Sequence, residues 1–164
     1  RMRDAASLHQ GIDIKGPNGQ ALLAVADGTV VEALAEDCWG PTILIDHGIG
    51  PDNERILALY GHVGEMLVEA GSAVRRGQLI AKLGDNQNRY KCMLNVRHLH
   101  FQLGRIYQTD KSGRWGSEYF LVDGNRGLSP HLYWADGVGK VTCFNPGRIY
   151  PAGYHPYPLP CDRR

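Results

Sequence analysis

The stretch VRHLHFQL, Val96 to Leu103, divides by parity into two chemically different sets. One is Val96, His98, His100 and Gln102; the other is Arg97, Leu99, Phe101 and Leu103. A period of two marks a β-strand with one apolar and one mostly polar face. Both imidazoles then project from the same side, roughly 6 to 7 Å apart at about 3.3 Å of rise per residue. Leu99 and Phe101, on the other side, anchor the strand in a core. Two imidazoles so placed can approach one catalytic centre without both binding the same ion. Taken alone, the strand reads equally well as a half-exposed one with solvated histidines, so other residues must decide.

Working outward, the chain keeps this character. Between Ala21 and Lys82 it reads as short strands and turns: ALLAVADGTVVEAL with a turn at Asp27-Gly28, then PTILIDHG, then RILALYGHV. VEAGSAVRRGQLIAKLG reads as a further pair of strands about a glycine turn, and DNQNRYKCMLNV as a polar surface loop leading into the histidine strand. With 21 glycines and nine prolines among short Val, Ile and Leu runs, the expectation is a mainly β, antiparallel fold with little helix. After Leu103 the sequence turns aromatic and glycine-rich, and NPGRIYPAGYHPYPLPC holds five of the prolines. Such a tail is short of backbone donors and conformational freedom, and is expected to wrap the domain in extended form. The 164 residues are read as one domain, with 8–103 carrying the motifs and 104–164 an extension.

A net charge of +1 gives no electrostatic case for nucleic acid or an anionic membrane. No segment approaches the roughly 20 apolar residues of a membrane span. The sequence starts at Arg1 without a signal peptide, which is read as a mature form or excised domain. Cys38, Cys92, Cys143 and Cys161 form an even set without CxxC spacing, better read as two disulfides of an exported protein than as a zinc knuckle or free thiols. Three pairings are possible, and spacing does not choose among them. Were Cys143 and Cys161 to pair, they would close the wrap of the tail with roughly 3 kcal/mol.

Two further stretches could join the histidine pair. HQGID offers His9 and Asp13. On a straight strand these lie about 13 Å apart, too far to share an ion, but a bend at Gly11 brings them together. In LYGHV, Tyr60 and His62 share one parity and Leu57, Leu59 and Gly61 the other, which is read as placing His62 on a polar face. Two His and one Asp suit catalytic zinc with a fourth position left for water, and the remaining histidines could then handle protons. His47, His131 and His155 sit beside turns, prolines and aromatics and are read as structural, and Asp46 as a turn-capping carboxylate.

At this point the chain resembles the lysostaphin-type, or LytM-like, zinc metallopeptidases. The matching motifs run in order from Leu8 to Leu103: HxxxD at His9 and Asp13, DGTV at Asp27 to Val30, YxH at Tyr60 to His62, GxxVxxGQ at Gly71 to Gln78, and HLHF at His98 to Phe101. The resemblance implies an antiparallel, duplicated hybrid-motif-like fold with a groove, in which His9, Asp13 and His100 bind Zn2+ and His62 and His98 flank the metal water and the scissile carbonyl. It implies a monomeric endopeptidase, secreted or of the cell envelope, acting on peptidoglycan peptides, with glycine-rich protein as an alternative substrate. The cysteine layout resembles the β-lytic and staphylolytic branch, which implies Cys38 with Cys92 and Cys143 with Cys161. LNVR before HLH departs from the family pattern, and Arg97 is expected to alter the groove, where a cation could favour a substrate carboxylate. Two other classes compete: a zinc-free LytM-like module that activates another wall hydrolase, and a lipoyl- or biotin-carrier domain. The carrier would need a modifiable lysine at a hairpin tip, whereas Lys82 falls inside an apparent strand.

Overall fold

The computed structural model describes residues 11–105 and 128–162. Among them the strands are β1 (Ile12–Lys15), β2 (Ala21–Leu23), β3 (Gly28–Glu36), β4 (Gly40–Ile49), β5 (Arg55–Gly61), β6 (Glu65–Met66), β7 (Ala73–Val74), β8 (Leu79–Lys82) and β9 (His98–Gly104). They form a six-stranded sheet in the order β1-β9-β5-β4-β3-β7 and a three-stranded sheet in the order β2-β8-β6. Every pairing of these strands is antiparallel. The stretch read as two strands about a glycine turn does supply β7 and β8, but not as a hairpin. Val74 faces Gly28 in the large sheet, while Leu79 faces Leu23 in the small one.

Alternation along the central strands decides what each face of the large sheet meets. Ile43 and Ile45 of β4, Ile56, Ala58 and Tyr60 of β5, and Leu99, Phe101 and Leu103 of β9 all belong to one core, shared with Leu22, Ile80 and Ala81 of the small sheet. Leu44, Leu57 and Leu59 point the other way and form a second, smaller cluster with Val31 and Trp39. β5 is thus apolar on both sides, which its RILALYG sequence requires. Tyr60 ties the two sheets together: its hydroxyl accepts from the Val25 amide at 3.0 Å and donates to the Leu23 carbonyl at 3.1 Å.

Residues 128–162 cover the main core. Leu128 bridges to Leu103, Trp134 bridges to His155, and Tyr133, Trp134 and Leu159 are buried in the core itself. The Leu23 amide donates to the Pro158 carbonyl at 2.6 Å, and Arg76 donates to the Tyr154 carbonyl at 3.1 Å. The covered side is the one that Leu99 and Phe101 enter, so the tail lies across the sheet from His98 and His100. Both disulfides pair as the resemblance implied: Cys38 with Cys92 and Cys143 with Cys161, at Cα separations of 5.1 and 5.2 Å.

Under the tail lies a pair of imidazoles. His47 follows Ile43 and Ile45 on the core side of β4, and the ring of His155 sits 5.9 Å from it. Nδ1 of His47 donates to the Asp27 carbonyl at 2.9 Å, whereas its buried Nε2 and both ring nitrogens of His155 make no hydrogen bond. Burial pushes His47 down to about 4; its hydrogen bond to Asp27 and the Asp46 and Asp27 carboxylates oppose this, while the Arg76 cation reinforces it. His155 is held well below its ordinary value by burial first, then by His47 and Arg76, against the Val25 carbonyl. Both rings are therefore neutral in the folded chain, and below about pH 6.5 the unfolded chain binds protons that the folded one does not. Stability is full above pH 6.5 and falls as the pH drops towards 4, by on the order of 2 kcal/mol for a ring that is partly shielded. Urea denaturation at pH 7 and pH 4.5 should show this loss, and His155→Phe should flatten it; an unchanged acid slope in that variant removes the pair as its cause.

Candidate metal centre

Three adjacent strands assemble the site. β9 lies between β1 and β5, and His100 stands opposite Asp13 on one side and opposite Gly61 on the other. A cross-strand pair directly opposite shares a face, so the register alone brings the Asp13 carboxylate beside the His100 ring. Nδ1 of His100 is 3.1 Å from Asp13 Oδ1, and Nε2 of His98 is 3.6 Å from the same oxygen. Gly11 sits in a bend just before β1, where an added Cβ would stand 2.4 Å from the Phe101 carbonyl oxygen. Only a residue without a side chain lets the chain cross β9 so closely.

His62 arrives differently from what alternation predicts. Tyr60, its parity mate, is buried in the main core, so a continued strand would send His62 there too. Instead β5 ends at Gly61, and His62 takes a left-handed backbone with φ of 63°. That conformation is uncommon for a residue with a side chain. It swings the imidazole to the opposite side of the sheet, where its centroid is 4.7 Å from that of His98 and 5.9 Å from that of His100.

The hydrogen bonds fix which nitrogen each ring presents. Nδ1 of His62 meets the Trp39 carbonyl at 2.8 Å, and Nδ1 of His98 meets the Val96 carbonyl at 2.7 Å. A carbonyl only accepts, so each Nδ1 carries the proton and each Nε2 keeps a lone pair. His100 is reversed: its Nε2 lies 2.9 Å from Gln102 Oε1, and its Nδ1 faces Asp13. Burial pushes His62 down to about 4; the Trp39 hydrogen bond opposes this, His98 and His100 add to it, and Asp13 opposes it. The ring is neutral at pH 7.

The donor set fits a cation. Nε2 of His100 donates to Gln102 Oε1 while its Nδ1 converges with the Asp13 carboxylate at 3.1 Å; a proton on Nδ1 bridges the two, and a cation displacing that proton would be held by one ring nitrogen and one carboxylate oxygen. A ligating imidazole that donates its other N–H to a fixed acceptor is the usual arrangement around zinc. Among the described residues no group of three His, Cys, Asp or Glu side chains could hold a metal ion. His9, the third ligand the resemblance implies, lies outside those residues.

Two neighbours were not anticipated. Gln102, fully buried, shares the histidine parity of β9, so its position was readable while its role was not. Trp39 stacks on His62 at 4.8 Å and meets His100 edge-on at 4.8 Å, contacts that nothing near Trp39 in the sequence signals. Arg97 turns elsewhere: its Nε donates to the Gly84 carbonyl at 3.2 Å and its guanidinium pairs with Asp85. These two contacts hold it at the small-sheet end of β9.

With this geometry in place, comparison with known proteins is specific. The model of Peptidase family M23 matches residues 7–114. The chain is 37% identical over 107 residues to a lipoprotein NlpD/LppB homolog of Pseudomonas aeruginosa, covering 64% of this chain and 32% of that protein. It is 38% identical over 96 residues to the murein hydrolase activator NlpD of Escherichia coli, covering 58% of this chain and 22% of that protein. It thus spans a third or less of the length of these relatives. Among solved structures, the catalytic domain of the antimicrobial peptidase lysostaphin from Staphylococcus simulans superposes with a TM-score of 0.53 at 22% identity, over 75% of this chain and 76% of that one. LytU superposes with a TM-score of 0.52 at 25% identity, over 75% and 70%. The fold is of the lysostaphin type, and by the family match over 7–114 the chain belongs to peptidase family M23.

Proposed function

We propose that this domain is a zinc-dependent endopeptidase that hydrolyses peptide bonds in the stem or crossbridge peptides of peptidoglycan. The observation that carries this reading is the contrast of tautomers: His100 turns Nδ1 towards Asp13, while His62 and His98 keep Nε2 as the lone pair. His9, Asp13 and His100 would hold the ion, which when bound supplies a polarising charge and a water acidified towards neutrality. His62 and His98 supply the proton path. One Nε2 takes the proton of the attacking water; the other, once protonated, donates to the carbonyl oxygen as charge builds there, or to the leaving amine. The backbone carbonyl behind each ring keeps it from turning away. Glycoside cleavage usually draws on two carboxylates set across the bond. Among the described residues Asp13 is the carboxylate paired with these histidines, and it is committed to the ion.

Relatives named as lipoproteins and murein hydrolase activators support a place in the periplasm or cell envelope, and two disulfides fit an oxidising compartment. No helix among the described residues is long and apolar enough to cross a membrane. The domain is proposed to act as a monomer, with no nucleic acid partner. The second reading, a module that activates another wall hydrolase, is favoured by the likeness to NlpD, a murein hydrolase activator.

Elemental analysis should find about one zinc per chain, lost in His9→Ala and His100→Ala. Unchanged zinc in either variant would sink the ligand assignment. His98→Ala should keep its zinc and lose at least about 100-fold in activity; equal loss of metal in His98→Ala and His100→Ala would mean that the two roles are shared.

Digestion of purified sacculi should release new amino groups, blocked by a chelator. New reducing sugar ends in place of amines would overturn the peptidase reading. No release by the chain alone, with faster release when a separate murein hydrolase is added, would select the activator.

A further inference from the structure

The turn joining β3 to β4 carries more restraint than a connection of that length needs. Glu36 Oε2 accepts from the amides of Cys38 at 3.1 Å and Trp39 at 2.8 Å, fixing the backbone through the turn. Cys38 is bonded to Cys92 of the 84–97 loop, and the Cys92 amide donates to the Cys38 carbonyl at 3.0 Å. Two residues after Cys38, the Tyr90 ring packs so closely over Gly40 that a Cβ there would stand 2.8 Å from it. Gly61 likewise leaves room for the indole, since a Cβ on β5 would stand 2.8 Å from the Trp39 ring.

All of these restraints converge on Trp39, which touches His62 in two independent ways. Its carbonyl takes the Nδ1 proton at 2.8 Å, and its indole stacks on the imidazole at 4.8 Å with 20° between the planes. The carbonyl is main chain and accepts the Nδ1 proton only while the ring lies in the plane the stack holds, so removing the indole releases the ring from that bond and with it the single tautomer. His62 needs both, because it stands past the end of β5 on a left-handed backbone: the Val63 and Gly64 amides that follow donate to the Pro41 and Lys82 carbonyls and fix the main chain, which leaves the ring itself to be oriented by its own contacts. A ring free to rotate about χ2 would present Nδ1 as often as Nε2.

We propose that Trp39 is a positioning residue for His62, and that the Cys38–Cys92 bridge serves catalysis by holding Trp39 in place. The inference rests on the peptidase reading above, but one arm of its test does not. Trp39 touches no reacting atom; it acts by keeping the lone pair of His62 aimed at the site. Trp39 also packs against the small Leu44, Leu57 and Leu59 cluster; were that its whole role, its removal would lower stability without changing the tautomer.

The test compares the full chain with Trp39→Ala, Trp39→Phe and Cys38→Ser/Cys92→Ser. Long-range 15N–1H correlation spectra of the imidazoles should show His62 as a single Nδ1–H tautomer in the wild type and as a mixture in Trp39→Ala and in the unbridged chain. On a defined crosslink peptide, Trp39→Ala should lower kcat about 10- to 100-fold, the range that small misplacement of a catalytic group produces. KM and zinc content should stay near wild type, Trp39→Phe should recover most of the loss, and Trp39→Ala added to His62→Ala should cost little more. A single tautomer persisting in Trp39→Ala would overturn the proposal, as would a loss confined to KM or one that adds fully to that of His62→Ala. If the unbridged chain does not fold, the two Trp39 variants decide. If the wild type cleaves no peptide, the peptidase reading fails while the spectra still judge the role of Trp39.

Discussion

The organising constraint is the position of β9 between β1 and β5. Asp13, His100 and Gly61 form one row across three strands, so a carboxylate–imidazole pair and the space for a neighbouring ring are set by hydrogen-bond register. That register is enforced from the other face. Leu99, Phe101 and Leu103 are fully buried, each with burial worth roughly 1.5 to 3 kcal/mol. A slip of one residue would bring them out and drive both histidines into the core. The apolar half of the strand thereby holds the polar half to its coordinates.

Three imidazoles, two of them within 6 Å of the ring of His62, would lack direction without a second set of contacts. Each is oriented by a different acceptor: the Trp39 carbonyl for His62, the Val96 carbonyl for His98, and the Gln102 side chain for His100. Two of these acceptors are main chain. Backbone geometry therefore determines which nitrogens face the site, and only Gln102 is a choice of side chain. In a buried setting such bonds are electrostatically stronger than in water, and the proton placement they impose persists.

The two disulfides serve opposite faces of the sheet. Cys38–Cys92 spans 54 residues beside the histidines, and Cys143–Cys161 spans 18 within the tail. By loop-closure entropy they contribute roughly 4 and 3 kcal/mol respectively. A domain with strands as short as two residues in its smaller sheet gains from such cross-links, since its core is built from many small contributions. The tail adds Tyr133, Trp134 and Leu159 to that core, and with them a neutral histidine pair that ties its docking to pH.

Sequence periodicity by itself determined the β9 strand, its two faces and the burial of Leu99 and Phe101, because alternation is a local property that a strand must obey. Motif order further determined the lysostaphin-type fold, and the resemblance supplied the pairing of all four cysteines. Other features became visible only in three dimensions. Alternation put His62 on the side of Tyr60, and a single left-handed residue beyond the strand reversed it. β7 and β8 looked like a hairpin, yet each found its partners in a different sheet. Arg97 looked like a cation beside the histidines and is turned away by Asp85. Trp39 and Gln102 carry no motif, because what they do depends on which imidazole lies next to them. The division has a physical cause: side-chain parity is written in the order of the residues, whereas backbone reversals past a strand end and contacts between distant turns are fixed only when the sheets pack.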